Sequence, residues 1–338
     1  MPDQEPSIIA HRLTRKFGRQ AAVRDLSFEI RKGEIVGFLG PNGAGKSTTL
    51  RMMTGVLPAT SGHLSICGLA VPLHPDEIRR RIGYMPENNP LPEDMRVIEY
   101  LRFRARIKDI PRRLRRSRVE HALEVCELHR KAKRKIIGTL SKGFRQRVGI
   151  ADAILSAPEI TILDEPTIGL DPHQVIAIRQ LLDNLRGETT VIFSSHILSE
   201  VEVSCDRVLI LNQGNLVAQG TADELRREFL PGVRYQILVS GKMESVRKVL
   251  ASLGSTWQSS LENGPGPGLY SVSLHNPDSE ACAPAILRQL VHSGTLEVHS
   301  FKQDEPSLED IFLTATRRSW DLPFPSNREA STSTQTTS

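Results

Sequence analysis

The segment from Gly40 to Ser47 has the residue types and the spacing of a loop that binds phosphate groups. It reads Gly-Pro-Asn-Gly-Ala-Gly-Lys-Ser and fits the pattern G-x-x-x-x-G-K-[ST]. In such a loop the glycines let backbone N–H groups curl around phosphates, the lysine reaches the terminal phosphates, and the serine can bind Mg²⁺. The segment therefore predicts binding and hydrolysis of ATP with Mg²⁺. The predicted ATP contacts here are Gly40, Pro41, Asn42, Gly43, Ala44, Gly45, Lys46, Ser47 and Thr48.

Two adjacent carboxylates, Asp164 and Glu165, follow the apolar run Ile160–Leu163. Such a run predicts a buried strand, and the ligands of open α/β sheets gather at the carboxyl ends of the strands. We expect Asp164 to hold Mg²⁺, directly or through water. We expect Glu165 to orient and polarise the water that attacks the γ-phosphate. The alternative is a solvated acidic pair at the start of a loop.

A second candidate anion site lies at Ser141 and Gly143, within Leu-Ser-Lys-Gly-Phe-Arg-Gln-Arg at 140–147. These residues precede a predicted helix whose exposed N–H groups can bind an anion. One nucleotide does not obviously need two helix N-termini so far apart in the sequence. A head-to-tail pair of chains would use both.

Strand and helix patterns flank the phosphate loop. Apolar residues alternate over Ile8–Leu13 and Leu26–Ile30, and the run Ile35–Leu39 leads into the loop, which predicts strands. The stretch Thr48–Val56 has helical character and ends near glycine and proline stop signals. This is the order of strand, loop and helix that a phosphate loop requires.

The middle of the chain predicts a helical block inserted in an α/β core. An Arg-rich helical pattern covers Glu87–Leu140, and a further helix is predicted at Phe144–Ser156. Apolar strands return at 160–163 and at Thr190–Ser194. Residues 207–220 have the pattern of a closing hairpin, with a turn at Asn212-Gln213-Gly214-Asn215.

Beyond Pro231 the pattern predicts a small α+β domain and then a disordered tail. Glycine and proline alternate over Asn263–Gly268, which excludes regular structure there, and the Ser/Thr-rich end predicts disorder. The predicted strands are Tyr235–Val239, Tyr270–Leu274 and Leu296–Phe301, and the predicted helices are Ser245–Leu253, Ala281–His292 and Leu308–Thr316. We accordingly expect an ATPase domain at 1–225 with a helical part at about 87–157, an accessory domain at 231–316 and a disordered tail at 319–338.

Composition agrees with a globular chain of two domains. The 338 residues are 39% apolar and 25% charged, close to the averages for soluble proteins. The four cysteines are far apart and lack metal-ligand spacing, which fits a reduced cytosolic setting. The N-terminus has no secretory pattern, and no apolar run approaches the roughly 20 residues that span a bilayer. A membrane role would therefore need a partner chain.

Residues 102–118 form a strongly basic stretch, with nine Arg or Lys against one acidic residue, Asp109. Such a run is usually the solvated face of a helix. The alternative is a surface that faces anionic lipid headgroups or nucleic acid. The few aromatic residues there argue against base stacking.

The segment 140–147 closely resembles the signature that separates ABC ATPases from other phosphate-loop enzymes, and the resemblance covers residues 7 to about 225. It implies a P-loop α/β core with an antiparallel β subdomain and an inserted α-helical subdomain. It also implies a dimer in which Lys46 and Ser47 of one copy, with Ser141 and Gly143 of the other, close over the same ATP.

Further positions resemble the family's pattern. Gly169–Asp171 resembles the loop that communicates between the two ATP sites, so Asp171 is a candidate contact, and His196 resembles the histidine that senses the γ-phosphate. Phe17 stands where the family places an aromatic ring that stacks on adenine; the alternative is a core phenylalanine. Glu87 stands where the family usually has a glutamine that contacts Mg²⁺, and it is a candidate metal ligand.

The end of the second domain, Ser307–Leu313, resembles the close of the C-terminal extension in export-type ABC ATPases, whose permease is a separate chain. The resemblance implies an exporter ATPase that works with an integral-membrane permease at the cytoplasmic face of the cell membrane. The alternative is a soluble ABC ATPase that acts on ribosomes or nucleic acid. Those members usually carry two nucleotide domains or long coiled coils. Here Lys46 and Ser141 are only 95 positions apart, so a nucleic-acid partner is not expected.

Overall fold

The structure is a computed structural model that describes residues 6–254, 256–266, 268–277, 283–292 and 295–321. Contacts between Cα atoms divide it into two compact units, Met1–Ala222 and Asp223–Ser338. In chain order, the first unit contains β1 (Pro6–Phe17), β2 (Gln20–Arg31), β3 (Ile35–Leu39), α1 (Lys46–Met53), β4 (Ser61–Ile66), β5 (Leu69–Ala70), α2 (Pro75–Arg81), β6 (Ile82–Met85), α3 (Val97–Ile107), α4 (Arg112–Val125), a 3-10 helix (Ile137–Thr139), α5 (Lys142–Ile154), β7 (Ile160–Leu163), α6 (Pro172–Leu185), β8 (Thr190–Ser195), α7 (Leu198–Ser204), β9 (Arg207–Asn212) and β10 (Asn215–Gly220).

A six-stranded sheet forms the centre of the first unit, in the order β10-β9-β3-β8-β7-β6. All neighbours are parallel except the β9–β10 hairpin. Every residue of β3, β7 and β8 is buried, as expected for a parallel sheet that is covered on both faces. Because Leu39 of β3 pairs with Ser195 of β8, and Leu163 of β7 pairs with Phe193, the carboxyl ends of these strands meet at one edge.

A second, antiparallel sheet in the order β2-β1-β4-β5 packs in the same hydrophobic core. Residues alternate between buried and exposed along the end of β2, the pattern of a sheet with one wet face. The rings of Phe28 in β2 and Phe38 in β3 meet edge to face, with centroids 5.5 Å apart. Leu50 and Met53 of α1 belong to the same core. Burial of such side chains, worth about 1.5–3 kcal/mol each, fixes α1 behind the loop that precedes it.

The predicted strands and the hairpin of the first unit are confirmed, but the predicted helix Thr48–Val56 is displaced. Helix α1 begins two residues earlier, at Lys46, and ends at Met53. Gly45 (φ 103°) is the N-cap of α1, and Gly55 (φ 67°) follows the end of the helix. Both have positive φ, a conformation that glycine adopts without strain.

The prediction of one helical stretch over Glu87–Leu140 is wrong in part. The α-helices in this range are α3 and α4, whereas residues 87–96 and 126–136 lie outside α-helices. Pro90 and Pro92 explain the first gap, because proline removes a backbone donor and disfavours helix in the residue before it. The helix predicted at Phe144–Ser156 is observed as α5.

The second unit is an α+β unit with its own core. Its elements are α8 (Ala222–Phe229), β11 (Val233–Gly241), α9 (Met243–Ser252), β12 (Gln258–Asn263), β13 (Leu269–Asn276), α10 (Ala283–His292), β14 (Leu296–Asp304) and α11 (Leu308–Asp321). The four strands form an antiparallel sheet in the order β12-β13-β11-β14. Tyr235 and Ile237 of this sheet pack with Val246 of α9 and Ile286 of α10.

The predicted strands and helices of this unit are present. The segment expected to be irregular, Asn263–Gly268, begins with the last residue of β12 and then joins β12 to β13. The predicted helix Ala281–His292 is observed from Ala283, and its first two residues lie outside the described part of the chain. The predicted tail at 319–338 overlaps the end of α11 at 319–321; its remainder also lies outside the described residues.

Candidate functional site

The phosphate-loop segment joins the carboxyl end of β3 to the first turn of α1. Gly43 and Gly45 have left-handed backbones, with φ of 81° and 103°, which glycine alone adopts readily. A Cβ atom at Gly45 would lie 2.7 Å from the Ala22 carbonyl oxygen, so the chain passes too close for any side chain. The loop therefore directs backbone N–H groups and the helix N-terminus into one concavity, where an anion is stabilised.

Lys46 and Glu165 form a buried ion pair behind this loop. The Lys46 ammonium lies 3.3 Å from Glu165 Oε1, both side chains are 6% exposed, and Lys46 Nζ also donates to the Gly40 carbonyl at 2.7 Å. Glu165 Oε2 lies 2.8 Å from His196 Nδ1. One carboxylate is therefore held between a lysine and a histidine, so that its position is set from both sides.

The backbone of Glu165 is itself constrained. Its φ of 51° lies in the left-handed region, which is costly for a residue with a side chain and is found at functional sites. Its N–H donates to Ser194 Oγ at 2.8 Å. The same hydroxyl donates to Asp164 Oδ1 at 2.6 Å. Ser194 thus fixes both acidic residues from the end of β8.

Asp164 has one satisfied and one unsatisfied carboxylate oxygen. Oδ1 accepts hydrogen bonds from Ser194 and, at 3.1 Å, from Ser47 Oγ. Oδ2 is buried and has no hydrogen-bond partner within the described part of the chain. Mg²⁺ prefers oxygen ligands, and a buried carboxylate oxygen without a hydrogen-bond donor, next to a serine hydroxyl, fits that preference. Burial, with the Asp164 charge as the next cause, raises the pKa of Tyr84 on β6, so this phenol remains neutral.

A cavity of about 840 Å³ opens in front of these groups. Phe17 stands at its wall with half of its surface exposed, and the Arg15 guanidinium lies 4.6 Å from the centre of its ring. The alternative of a core phenylalanine is therefore wrong. The exposed Glu87 also lines the cavity. The predicted residues that line it are Phe17, Pro41, Asn42, Gly43, Ala44, Gly45, Lys46, Ser47, Thr48, Glu87, Glu165 and His196.

Ser141, Gly143 and Asp171 are absent from the residues that line this cavity. Gly40 and Asp164 do not line it either, but each is hydrogen-bonded to a lining residue, Lys46 and Ser47 respectively. Ser141 is the exposed N-cap of α5 and its side chain makes no capping bond. Asp171 caps α6 by accepting from the Gln174 N–H at 3.0 Å. A Cβ atom at Gly143 would overlap the Gln174 side chain. The chain thus brings the candidate second anion site against the Asp171 loop rather than against its own phosphate loop.

Comparison with family models identifies two regions. Residues 23–168 match the model described as ABC transporter. Residues 220–316 match the model for the C-terminal domain of ATP-binding proteins like DrrA1-3.

Individual proteins match over nearly the whole chain. The linearmycin resistance ATP-binding protein LnrL of Bacillus subtilis is 32% identical over 91% of this chain and 98% of its own length. The Nod factor export ATP-binding protein I of Ralstonia nicotianae is 31% identical over 93% and 94%. Among solved structures, the dimeric bacterial ABC transporter cassette MJ0796 is similar with a TM-score of 0.57 and 28% identity, over 63% of this chain and 98% of that one.

The fold and the site define a P-loop ATPase with an ABC cassette. The chain belongs to the ABC transporter family and is an ATP-binding subunit of the export type that hydrolyses ATP. No helix in the described ranges is long and apolar enough to cross a membrane.

Ser194 is a residue of the site that sequence analysis missed. Other lining residues that it did not predict are Gln20, Ala21, Ala22, Arg24, Ile168 and Gln213. The signal for Ser194 was the pair Ser194-Ser195 at the end of a fully buried apolar strand, where a hydroxyl needs a partner. The sequence did not show which side chain supplies that partner, because the partner lies on the neighbouring strand.

Proposed function

We propose that two copies of this chain close head to tail over ATP and that the closure drives a separate integral-membrane permease. The observation that carries the proposal is the division of the site. Lys46, Glu165 and His196 line one cavity, whereas Ser141 and Gly143 stand outside it. Each half has the donors for an anion, so two copies provide a complete site. The dimeric cassette among the structural relatives supports this arrangement.

Binding of ATP uses the loop, the helix N-terminus and Lys46. Backbone N–H groups of the loop donate to the phosphates, and Lys46 exchanges its contact with Glu165 for the terminal phosphate oxygens. The exposed ring of Phe17 stacks on adenine. Because the phosphates compensate Lys46 in place of a carboxylate, Glu165 becomes free to act on water.

In this proposal Ser47 and Asp164 would hold Mg²⁺, with Asp164 Oδ2 as the oxygen left for it. Mg²⁺ supplies charge neutralisation at the phosphates. Glu87 lines the same cavity and adds a further carboxylate oxygen, in place of the glutamine amide that is usual in the family.

Glu165 accepts a hydrogen bond from the attacking water and takes up its proton as the water oxygen bonds to the γ-phosphorus, the bond from that phosphorus to the bridging oxygen breaks, and ADP leaves. His196 holds the other carboxylate oxygen at 2.8 Å and reports whether a γ-phosphate is present. Ser141 and Gly143 of the second copy donate to the same phosphates from the start of α5. Asp171, which is in the loop next to Gly143, links the two sites.

The subunit acts on the cytoplasmic face of the cell membrane through its permease. Relatives named for linearmycin resistance and for Nod factor export support an export role. The cargo is selected by the permease, which lines the pathway. The competing role on ribosomes or nucleic acid predicts a purified complex with RNA in place of one with membranes.

A mixing experiment tests the divided site. Lys46→Ala breaks the phosphate loop and Ser141→Arg blocks the second anion site, so each variant alone should be inactive. In a mixed dimer, however, one of the two sites combines an intact loop with an intact Ser141. We expect equal mixing to restore roughly a quarter of the wild-type rate of phosphate release, because half of the dimers are mixed and each holds one good site of two. No recovery in a sample that forms dimers would overturn the proposal.

A further inference from the structure

The hairpin of α3 and α4 carries a basic and apolar surface that the ATP site does not use. We call it the α3–α4 surface. It consists of exposed residues on the two helices: Arg102, Phe103, Arg106, Ile107, Arg112, Arg113, Leu114 and Arg116.

Most arginines of the stretch 102–118 are not ion-paired with any described residue. Arg104 and Lys108 from the same stretch are engaged by Asp152, at 2.9 and 3.6 Å. By contrast, five arginines have no ion pair to any residue in the described ranges: Arg102, Arg106, Arg112, Arg113 and Arg116. The acidic residue within the stretch is Asp109. The α3–α4 surface therefore projects a positive field into solvent.

The start of α4 strengthens this field. Its first two residues are Arg112 and Arg113, and no acidic residue lies in its first turn. The N-terminus of a helix carries a partial positive charge and favours anions. Here two guanidinium groups add to that charge, an arrangement that an external anion would stabilise.

Large apolar side chains stand among the arginines. Phe103 and Ile107 are one helical turn apart on α3 and are 48% and 53% exposed, and Leu114 of α4 is 37% exposed. The opposite face of α3 is buried through Leu101 and Ala105. Exposed apolar residues mixed with arginines match the interface of a bilayer, where rings and alkyl chains reach the acyl boundary while guanidinium groups remain at the headgroups.

We propose that the α3–α4 surface binds anionic lipid headgroups directly, with Phe103 and Ile107 at the acyl boundary. Nucleic acid fits the surface less well, because Phe103 is the single aromatic residue in the stretch 102–118 and cannot provide a series of stacking platforms. This contact goes beyond the proposed function, because it brings the ATPase to lipid without the permease.

Vesicle flotation of the purified full chain tests the proposal. We expect it to float with vesicles of mixed phosphatidylglycerol and phosphatidylcholine, and not with phosphatidylcholine alone. Arg113→Glu/Arg116→Glu should weaken binding about tenfold or more, since each basic residue near an anionic surface contributes to attachment. The matched control is Arg247→Glu/Lys248→Glu, with the same change of charge on exposed residues of α9, which should bind as the wild type does.

The apolar part of the contact has its own readout. Phe103→Trp should give a blue-shifted emission with the anionic vesicles, relative to the wild-type spectrum under the same conditions. Phe103→Ser/Ile107→Ser should lower binding while leaving ATP hydrolysis unchanged, because neither residue lines the ATP cavity.

Three results would overturn the lipid proposal. The first is equal flotation with both kinds of vesicle, and the second is equal loss in the control double variant. The third is binding to single-stranded RNA that depends on Arg113 and Arg116, without any binding to vesicles. None of these depends on the mixed-dimer experiment, so the failure of one proposal is distinguishable from the failure of the other.

Discussion

The ammonium group of Lys46 lies 3.3 Å from Glu165 Oε1, and water is nearly excluded from both side chains. Lys46 follows β3 through the phosphate loop, and Glu165 follows β7. The two residues meet because only β8 lies between these strands in the parallel sheet. A terminal phosphate that enters the cavity competes with Glu165 for the same cation. We therefore expect binding of ATP to be coupled to release of the Glu165 carboxylate from Lys46.

Substitution Lys46→Ala tests this relationship. We expect ATP hydrolysis to fall about 100-fold or more, the effect of removing one group that stabilises the transition-state charge. The free energy of unfolding should also fall, by about 3 kcal/mol, because a buried carboxylate loses its cation. Phosphate release and urea unfolding measure the two effects. The double variant Lys46→Ala/Glu165→Gln should recover most of the stability and none of the activity.

Substitution Glu165→Gln separates binding from hydrolysis. The amide has nearly the shape of the carboxylate but cannot take up a proton, so hydrolysis should fall about 100-fold or more. Binding of ATP should persist, because Lys46 is freed for the phosphates. We expect light scattering to show a stable dimer with ATP and a monomer without it. A variant that remains monomeric with saturating ATP would contradict the shared site.

Glu87 allows a test of the metal site. We expect Glu87→Gln to raise the Mg²⁺ concentration for half-maximal ATP hydrolysis several-fold, because a carboxylate oxygen binds Mg²⁺ more strongly than an amide oxygen. The control is Glu93→Gln, which removes an equal charge from the same connecting segment but outside the ATP cavity. An unchanged Mg²⁺ requirement in Glu87→Gln would show that this residue is not a ligand.

Local sequence was sufficient for the phosphate loop and for the buried strands around it. The glycines of Gly40–Ser47 stand where the loop backbone must adopt conformations that other residues avoid. The apolar runs of β3 and β7 indicate strands that are buried on both faces. Both signals lie within a few neighbouring residues. The acidic residues could therefore be assigned to a strand end before their partners were known.

Other parts depended on contacts distant in sequence. Ser194 donates to Asp164, 30 residues away, and accepts from the Glu165 N–H, 29 residues away, and these hydrogen bonds join two neighbouring strand ends. Strand β4 was missed because half of its residues are exposed and none of these is apolar and large. Strand β12 was missed because its burial pattern does not alternate. The first break in the helical block depended on turn chemistry at Pro90 and Pro92, which the prediction from the charge pattern did not take into account.

The lowered pKa of Glu120 predicts how the stability of the helical block depends on pH. A hydrogen bond from Lys133, at 2.7 Å, is the main cause of this shift from the ordinary value of 4.5. Below pH 4.5, therefore, the unfolded chain binds more protons than the folded one, and the free energy of unfolding decreases as pH falls through this window. Glu120→Gln should lose roughly 0.5 kcal/mol at pH 7, the scale of a solvent-exposed pair, and less at pH 3. Urea midpoints of both proteins at the two pH values measure this difference. A difference in stability between the two proteins that is equally large at both pH values would contradict this prediction. The matched control is Glu124→Gln, which changes an exposed acid one turn further along α4.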